Sequence, residues 1–193
     1  ANLNNSTEVH ADIATYAPGN IADGTFEPDF EITVPVSDSK GAQRNLTVAF
    51  LKSGPNEWHA EVIAPDGVLD NAANGYIQGG TIAFTADGRF DAQNSTILDA
   101  DGNLVVSIGE SGGAGTSWAA AFGADEQDIV FDLSAAAGGL TQYESTSIVQ
   151  ATLTNGTTFG NLTEIKIDDT GYVTAIFDNG VMRQIAQVAL ATF

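Results

Sequence analysis

The sequence predicts a mainly β fold: an antiparallel β-barrel or sandwich domain, followed by part of a second β domain. Three observations lead to this prediction. Short segments alternate between apolar and polar residues, Gly-containing turn pairs lie between them, and no amphipathic helix pattern extends over three or more turns. Alternation with a period of two is typical of strands that bury one face. Asn-Gly and Asp-Gly pairs favour the tight turns of β-hairpins.

Four segments alternate most clearly, and each predicts a half-buried antiparallel strand. The first of them places Ile32, Val34 and Val36 on one face. Its Pro35 predicts an edge strand, because proline has no amide proton to donate to a ladder. The other three segments place on one face Trp58, Ala60 and Val62; Ile129, Phe131 and Leu133; and Ile165 and Ile167.

Turn signals separate the strands at the spacing expected of an all-β protein. Asp, Asn and Gly tolerate the left-handed backbone that such turns require. The signals are Asp38-Ser39-Lys40-Gly41, Ser53-Gly54-Pro55-Asn56, Asp66-Gly67, Asp87-Gly88, Asp101-Gly102, Asn155-Gly156 and Asn179-Gly180.

The chain divides at two stretches that lack strand periodicity. Residues 1–25 are rich in Asn, Ser, Thr, Pro and Gly, and residues 134–140 form a run of small residues. Such stretches are typical of loops and linkers. We therefore expect a linker in residues 1–20, a first β domain in residues 21–139 and part of a second in residues 140–193.

The composition excludes several classes of function. Six basic residues against 25 acidic ones give a net charge of −19, and this field repels nucleic acid and anionic membranes. The absence of cysteine excludes disulfides and thiolate metal sites. No apolar run approaches the roughly 18 residues of a membrane-spanning helix.

One stretch has the oxygen ligands of a calcium loop. Its candidate ligands are Asp99, Asp101, Asn103 and Glu110. Leu104 occupies the sixth position, where the sharp turn of such a loop calls for glycine. Gly102 instead predicts an ordinary hairpin turn between residues 95–98 and 104–108. The set is a weak calcium candidate, and we expect no metal and no cofactor.

No catalytic constellation emerges from the sequence. The two histidines are His10 and His59, and no Gly-x-Ser-x-Gly elbow accompanies them. His59 alternates with Glu57 and Glu61 on the polar face of a strand, which favours a solvated side chain. We therefore expect no catalytic residues and no enzymatic activity.

Two blocks of the sequence resemble the bacterial flagellar hook protein family. The first is residues 36–62, which is similar to the family's strand–turn–strand unit with an Asp-Ser-x-Gly turn and an Asn-x-Trp hairpin. Its matching motif positions are Asp38, Ser39, Gly41 and Trp58.

The second block, residues 140–193, resembles the closing β segment of the same family, and residues 1–6 look like its passage into the outer domain. The matching motif positions of the second block are Gln142, Gly156, Gly171, Asn179, Gly180 and Phe193.

The resemblance implies a structural subunit of the flagellar hook, the flexible curved universal joint that transmits motor torque to the filament. It implies an extracellular location in the bacterial flagellum, and self-assembly of the full-length protein into a helical homopolymer that meets other flagellar axial proteins at its ends. Residues 21–139 would be the outer domain and residues 140–193 the C-terminal part of the inner domain. Residues 17–25 and 134–140 are candidate hinges.

The resemblance also implies that helical N- and C-terminal segments of the family are missing, so that Phe193 is a cut. Without those segments we expect the isolated fragment to be monomeric. We also expect exposed apolar strand faces at Ile165, Ile167, Ile176 and Leu190, which must pack on another part of the protein or on another copy.

Two other interpretations remain open from the residues alone. One is a secreted carbohydrate-binding β-sandwich in which Trp58 and Trp118 stack on sugars. The other is an adhesin or surface-layer module that depends on calcium through Asp99 to Glu110.

Overall fold

A computed structural model describes residues 1–133, 139–149, 162–168, 170–177 and 182–188, without the side chains of Leu162, Phe177 and Arg183. Helical structure in these ranges is limited to four 3-10 segments, Ile13–Thr15, Ala73–Gly75, Ala92–Asn94 and Ala120–Phe122. None of the helices described is long and apolar enough to cross a membrane. The strands are β1 Asn2–Asn4, β2 Phe30–Ser37, β3 Gln43–Gly54, β4 Glu57–Ile63, β5 Leu69–Asp70, β6 Tyr76–Phe84, β7 Phe90–Asp91, β8 Leu104–Ile108, β9 Ser117–Trp118, β10 Gln127–Phe131, β11 Thr141–Tyr143, β12 Leu162–Ile167, β13 Tyr172–Phe177 and β14 Met182–Gln187. The prediction of a mainly β fold is confirmed.

The central element is a five-stranded antiparallel sheet in the order β2-β3-β4-β6-β7. Strand β2 lies at its edge, as Pro35 predicts, and Pro35 pairs with Asn45 of β3. Smaller antiparallel pairs join β8 to β10 and β5 to β9, whereas β1 and β11 pair in parallel. The last three strands form a separate antiparallel sheet in the order β12-β13-β14.

Both faces of the central sheet are covered, because strand β3 is apolar at consecutive positions. Val48 and Phe50 belong to the large core, which also contains Trp58, Val106 and Trp118. On the opposite face, a smaller core contains Ile21, Phe26, Ala49 and Leu51. The central sheet therefore buries apolar side chains on both of its faces, as a layer between two cores does.

The large core extends to the two ends of the main body. Leu3 of β1 and Leu140, which immediately precedes β11, are both buried in it. Residues 1–4 and 140–143 therefore pack with the body that the sequence analysis bounded at residues 21 and 139.

The alternation predicted for β4 and β10 is confirmed on the apolar side. Trp58, Ala60 and Val62 are buried, and in β10 Phe131 is buried while Val130 is exposed. These positions follow the period of two with which side chains alternate between the two faces of a strand.

The hairpin predicted around Gly102 is wrong. Gly102 does adopt a positive φ of 82°, but residues 95–98 form no strand beside β8. Instead, the Ser95 hydroxyl accepts from the Ala83 amide at 2.9 Å, and the Thr96 hydroxyl accepts from the Thr81 amide at 2.9 Å. The hydroxyl oxygens of Ser95 and Thr96 therefore accept hydrogen bonds from two β6 amides, which a neighbouring strand would otherwise accept.

The sheet β12-β13-β14 exposes part of its apolar surface. Ile165 is 52 % exposed and Ile167 is 62 % exposed, so the exposed apolar face expected from the family resemblance is confirmed at these two residues, whereas the half-buried strand expected from alternation alone is not found. Ile176 is half-buried, and Leu190 lies outside the described residues.

Gly80→Ala should destabilise the fold. A Cβ at residue 80 would lie 2.9 Å from the backbone N and Cα of Ile97, so the chain around residue 97 must shift. We expect the free energy of unfolding in urea to fall by about 1–3 kcal/mol, the usual effect of overpacking. Gly54→Ala is the matched control, since a Cβ there meets nothing within 4 Å. Equal effects of the two substitutions would contradict the packing argument.

Candidate functional site

Two groups of polar contacts, each centred on one buried side chain, tie separate parts of the chain together. The first, the Gln142 cluster, comprises Asn5, Lys52, Asn56, Trp58 and Gln142. The second, the Glu61 clasp, comprises Tyr16, Gly19, Ile21, Ala22 and Glu61. Both groups connect residues far apart in sequence, and both lie where apolar packing alone would leave polar atoms without partners.

Gln142 is the centre of the first cluster. Its side-chain Nε2 donates to Asn5 Oδ1 at 2.7 Å and to Asn56 Oδ1 at 2.8 Å. Its Oε1 accepts from the indole Nε1 of Trp58 at 2.6 Å. Both amide hydrogens and the carbonyl of one planar group are therefore used. The bond between Trp58 and Gln142 also joins the two blocks that carry the family resemblance.

Lys52 completes the Gln142 cluster from strand β3. It is buried, its amino group donates to the backbone carbonyl of Asn5, and its Nζ lies 5.4 Å from the centre of the Trp58 ring. Burial lowers the pKa of Lys52, and the attraction of Asp29 partly offsets this. The charge is held by a carbonyl oxygen and an aromatic face, the two neutral groups that attract a cation.

Glu61 is fully buried on strand β4, and its carboxylate holds the loop that precedes β2. Oε1 accepts from the Tyr16 hydroxyl at 2.7 Å, from the Gly19 amide at 2.8 Å and from the Ile21 amide at 3.3 Å. Oε2 accepts from the Ala22 amide at 3.0 Å. Four donors to one carboxylate provide the partners that a buried charge requires.

The polar face of β4 was expected to be solvated, but the Glu61 clasp covers part of it. His59 is half-buried rather than solvated, and its ring stacks on the Tyr16 ring with centroids 3.9 Å apart. Burial lowers the pKa of His59, against the attraction of Glu57 and Glu61. Burial, and next the hydrogen bond to Glu61, raise the pKa of Tyr16. Because the clasp fixes residues 19–22 on the sheet, it also argues against a hinge in residues 17–25.

The turn between β2 and β3 is organised by Asp38. This buried side chain accepts from the amides of Lys40 at 3.0 Å and Ala42 at 2.9 Å, and it pairs with Arg44 at 3.1 Å. Gly41 has a φ of 78°, the left-handed conformation that favours glycine. Turn geometry therefore explains the Asp and the Gly of the Asp-Ser-x-Gly motif, whereas the Ser39 hydroxyl accepts from the Asp125 amide at 2.7 Å.

Of the calcium candidates, Asp99, Asp101 and Asn103 lie in one turn, and Glu110 lies apart from that turn. Asp99 Oδ1 accepts from the amides of Asp101 and Asn103, each at 2.9 Å. Glu110 follows strand β8, whose five residues extend about 16 Å. Across the residues that the structure describes, no three His, Cys, Asp or Glu side chains are placed to hold a metal ion.

The two tryptophans and the remaining motif positions are buried or lie outside the described residues. Trp58 and Trp118 are both fully buried, so neither offers a ring face on which a sugar could stack. Gly171 is buried in the turn between β12 and β13, with a φ of 83°. Gly156, Asn179, Gly180 and Phe193 lie outside the described residues.

Comparison with known proteins gives concordant matches. The family model of the flagellar basal body protein FlaE D2 domain matches residues 2–157. The flagellar hook protein FlgE of Caulobacter vibrioides is 50 % identical over 181 residues, which cover 86 % of this chain and 30 % of that protein. The flagellar hook protein FlgE of Helicobacter pylori is 29 % identical over 168 residues, covering 83 % of this chain and 21 % of that protein.

A solved structure also matches. It is a 32 kDa fragment of the flagellar hook protein FlgE from Caulobacter crescentus, with a TM-score of 0.62 and 40 % sequence identity, covering 72 % of this chain and 51 % of that one. The chain spans less than a third of the length of the two full relatives.

Glu61→Gln should loosen the loop. A glutamine keeps one acceptor oxygen, and its amide group would face the donors that now bind the carboxylate. We expect the free energy of unfolding to fall by about 2–3 kcal/mol, because buried donors lose their partners. Limited proteolysis should then cut within residues 10–26. Glu57→Gln, at an exposed position of the same strand, is the control and should change neither measurement. Equal behaviour of the two variants would refute the clasp.

The raised pKa of Tyr16 should appear as a loss of stability at alkaline pH. In the unfolded chain tyrosine ionises near its ordinary pKa of about 10, whereas folding keeps Tyr16 protonated. The contribution of Tyr16 to the free energy of unfolding is therefore fully present below that pH. As the pH rises above it, the free energy of unfolding falls by at most about 1.4 kcal/mol per pH unit. Urea unfolding between about pH 9 and 11 should show a smaller fall in Tyr16→Phe than in the parent. An unchanged slope would contradict this assignment.

Proposed function

The chain belongs to the flagellar hook protein family, and from this premise we propose that it is the outer part of a structural subunit of the flagellar hook. In this role it would belong to the flexible curved joint that transmits motor torque to the filament outside the cell. The proposal is carried by the 50 % identity to the Caulobacter vibrioides hook protein across 86 % of this chain.

We propose a division of the chain into domains that differs from the one expected from the sequence, in which residues 21–139 and 140–193 belonged to separate β domains. The shared core of Leu3 and Leu140 supports one outer body in residues 1–149, with the sheet β12-β13-β14 as a piece of a second domain. The apolar residues exposed on that sheet, such as Ile165 and Ile167, support its being completed by other parts of a longer protein.

The partners that we propose are further copies of the subunit in a helical polymer, and other axial proteins of the flagellum at the polymer's ends. The net charge of −19 opposes association of isolated chains, so the 193-residue chain alone would be monomeric. A structural role without catalysis is supported by Gln142 and Glu61, whose side chains are committed to internal hydrogen bonds.

Cysteine labelling in cells tests the proposal, because this chain contains no cysteine of its own. Ser39 is exposed in the turn between β2 and β3, so Ser39→Cys in the full-length protein should react with a fluorescent maleimide on intact flagellated cells. We expect short curved fluorescent structures at the base of each filament.

Ser117→Cys is the matched control, since Ser117 is fully buried and should stay unlabelled until the protein is denatured. Label spread evenly over the cell surface would replace the hook proposal with a surface-module function. Absence of label at Ser39→Cys on cells, with full labelling after denaturation, would mean that the turn is covered in the assembled protein or that the protein does not leave the cell.

A further inference from the structure

The chain enters and leaves the main body side by side. Strand β1 pairs in parallel with β11, and Asn2 also forms an antiparallel bridge with Ile148. The Asn2 amide donates to the Ile148 carbonyl at 3.0 Å, and the Ile148 amide donates back to the Asn2 carbonyl at 3.1 Å. We call residues 1–5 and 141–149 the stem, because the incoming and outgoing segments of the body meet there.

Side chains reinforce the stem. The Asn4 amide donates to the Ser147 hydroxyl at 2.9 Å, and Asn2 Nδ2 donates to the Ser145 hydroxyl at 3.0 Å. Asn2 Oδ1 in turn accepts from the Tyr143 amide at 3.0 Å. The incoming strand is thus bonded on both of its edges to the outgoing segment.

The stem is also bonded to the body. The backbone amide of Gln142 donates to the Gly88 carbonyl at 2.9 Å, and the approach is close: a Cβ on Gly88 would lie 2.2 Å from the Gln142 carbonyl oxygen. Gly88 belongs to the turn between β6 and β7. The outgoing strand is therefore pressed against the edge of the central sheet.

We propose that Gln142 is a positioning residue that locks the stem to the body. Its one carboxamide bonds the incoming segment through Asn5 and the hairpin of β3 and β4 through Asn56 and Trp58, while its backbone belongs to the outgoing strand. Three bonds from a planar group fix both the position and the orientation of the parts that they join. The stem and the body consequently move as one unit.

This inference places a rigid joint where the stem meets the body. Of the two hinges expected from the sequence, the one in residues 17–25 is held by the Glu61 clasp, and residues 134–138 of the other lie outside the described residues. In a longer protein, bending would then take place beyond residues 1–149 or between copies, rather than where the body meets its stem. The mechanical consequence rests on the proposed function, but the lock itself does not, because it concerns only contacts within this chain.

Hydrogen exchange of the whole 193-residue chain tests the lock residue by residue. In Gln142→Ala, the amides of Asn2, Asn5 and Ile148 should exchange about tenfold faster or more, while the amides at the centre of β3 and β4 keep their rates. Faster exchange confined to the stem is the signature of a released joint. Gln93→Ala, at an exposed glutamine, is the control and should leave all rates unchanged.

Two further variants keep the test decisive. Gln142→Glu keeps an acceptor for Trp58 but cannot donate to Asn5 and Asn56, so it should also release the stem. Asn5→Ala removes only the bond on the incoming side and serves if the changes at residue 142 prevent folding.

Two results would overturn the lock: stem amides that exchange as in Gln93→Ala, or a uniform rise at all amides, which would indicate only a loss of global stability. Neither result depends on the cysteine labelling of cells. A failure of the lock is therefore distinguishable from a failure of the proposed function.

Discussion

The hydrogen bond from the Trp58 indole to Gln142 is the constraint on which the main body depends. Trp58 is, with Trp118, one of the two largest side chains of the core, and its burial on β4 leaves one polar atom, for which Gln142 provides the acceptor. The acceptor lies on strand β11, 84 positions later in the chain, so the same bond fixes that strand on the main body. A single requirement of core packing therefore also determines where the chain leaves the body. The two sequence blocks that resemble the hook family are linked by the same atoms.

The two carboxylates that are buried among the described residues follow a common rule. Glu61 and Asp38 are buried, yet each is surrounded by backbone amides from a loop or turn that would otherwise lack partners. The carboxylate and the loop thus satisfy one another, since an unpaired charge or an unpaired amide would each be costly in the core. The remaining acidic surface is largely solvated. A strongly negative net charge is consequently compatible with a well-packed interior.

Local chemistry made part of this fold predictable from sequence. The apolar face of β4 and the edge position of Pro35 follow from alternation and from the missing amide of proline. Glu61 was not predictable in this way, because its alternation with His59 matches that of a solvated face. What covers it is a loop whose Tyr16 lies 45 positions earlier. The apolar Ile21 and Phe26 in that loop were the available signal, since they had to be buried against some surface.

A rigid stem changes how a bending polymer of such subunits would work. If the body follows its stem, the strain of bending falls on the contacts between copies and on segments outside the body. Like charges repel across such contacts over roughly 8 Å at physiological ionic strength, so extensive close contact between acidic faces is unfavourable. Small contacts with water between them can shift at little cost, whereas a large apolar interface would hold the copies in one arrangement. In such a polymer the acidic surface and the locked stem would have complementary effects: the body would keep its shape, and neighbouring copies would remain free to slide.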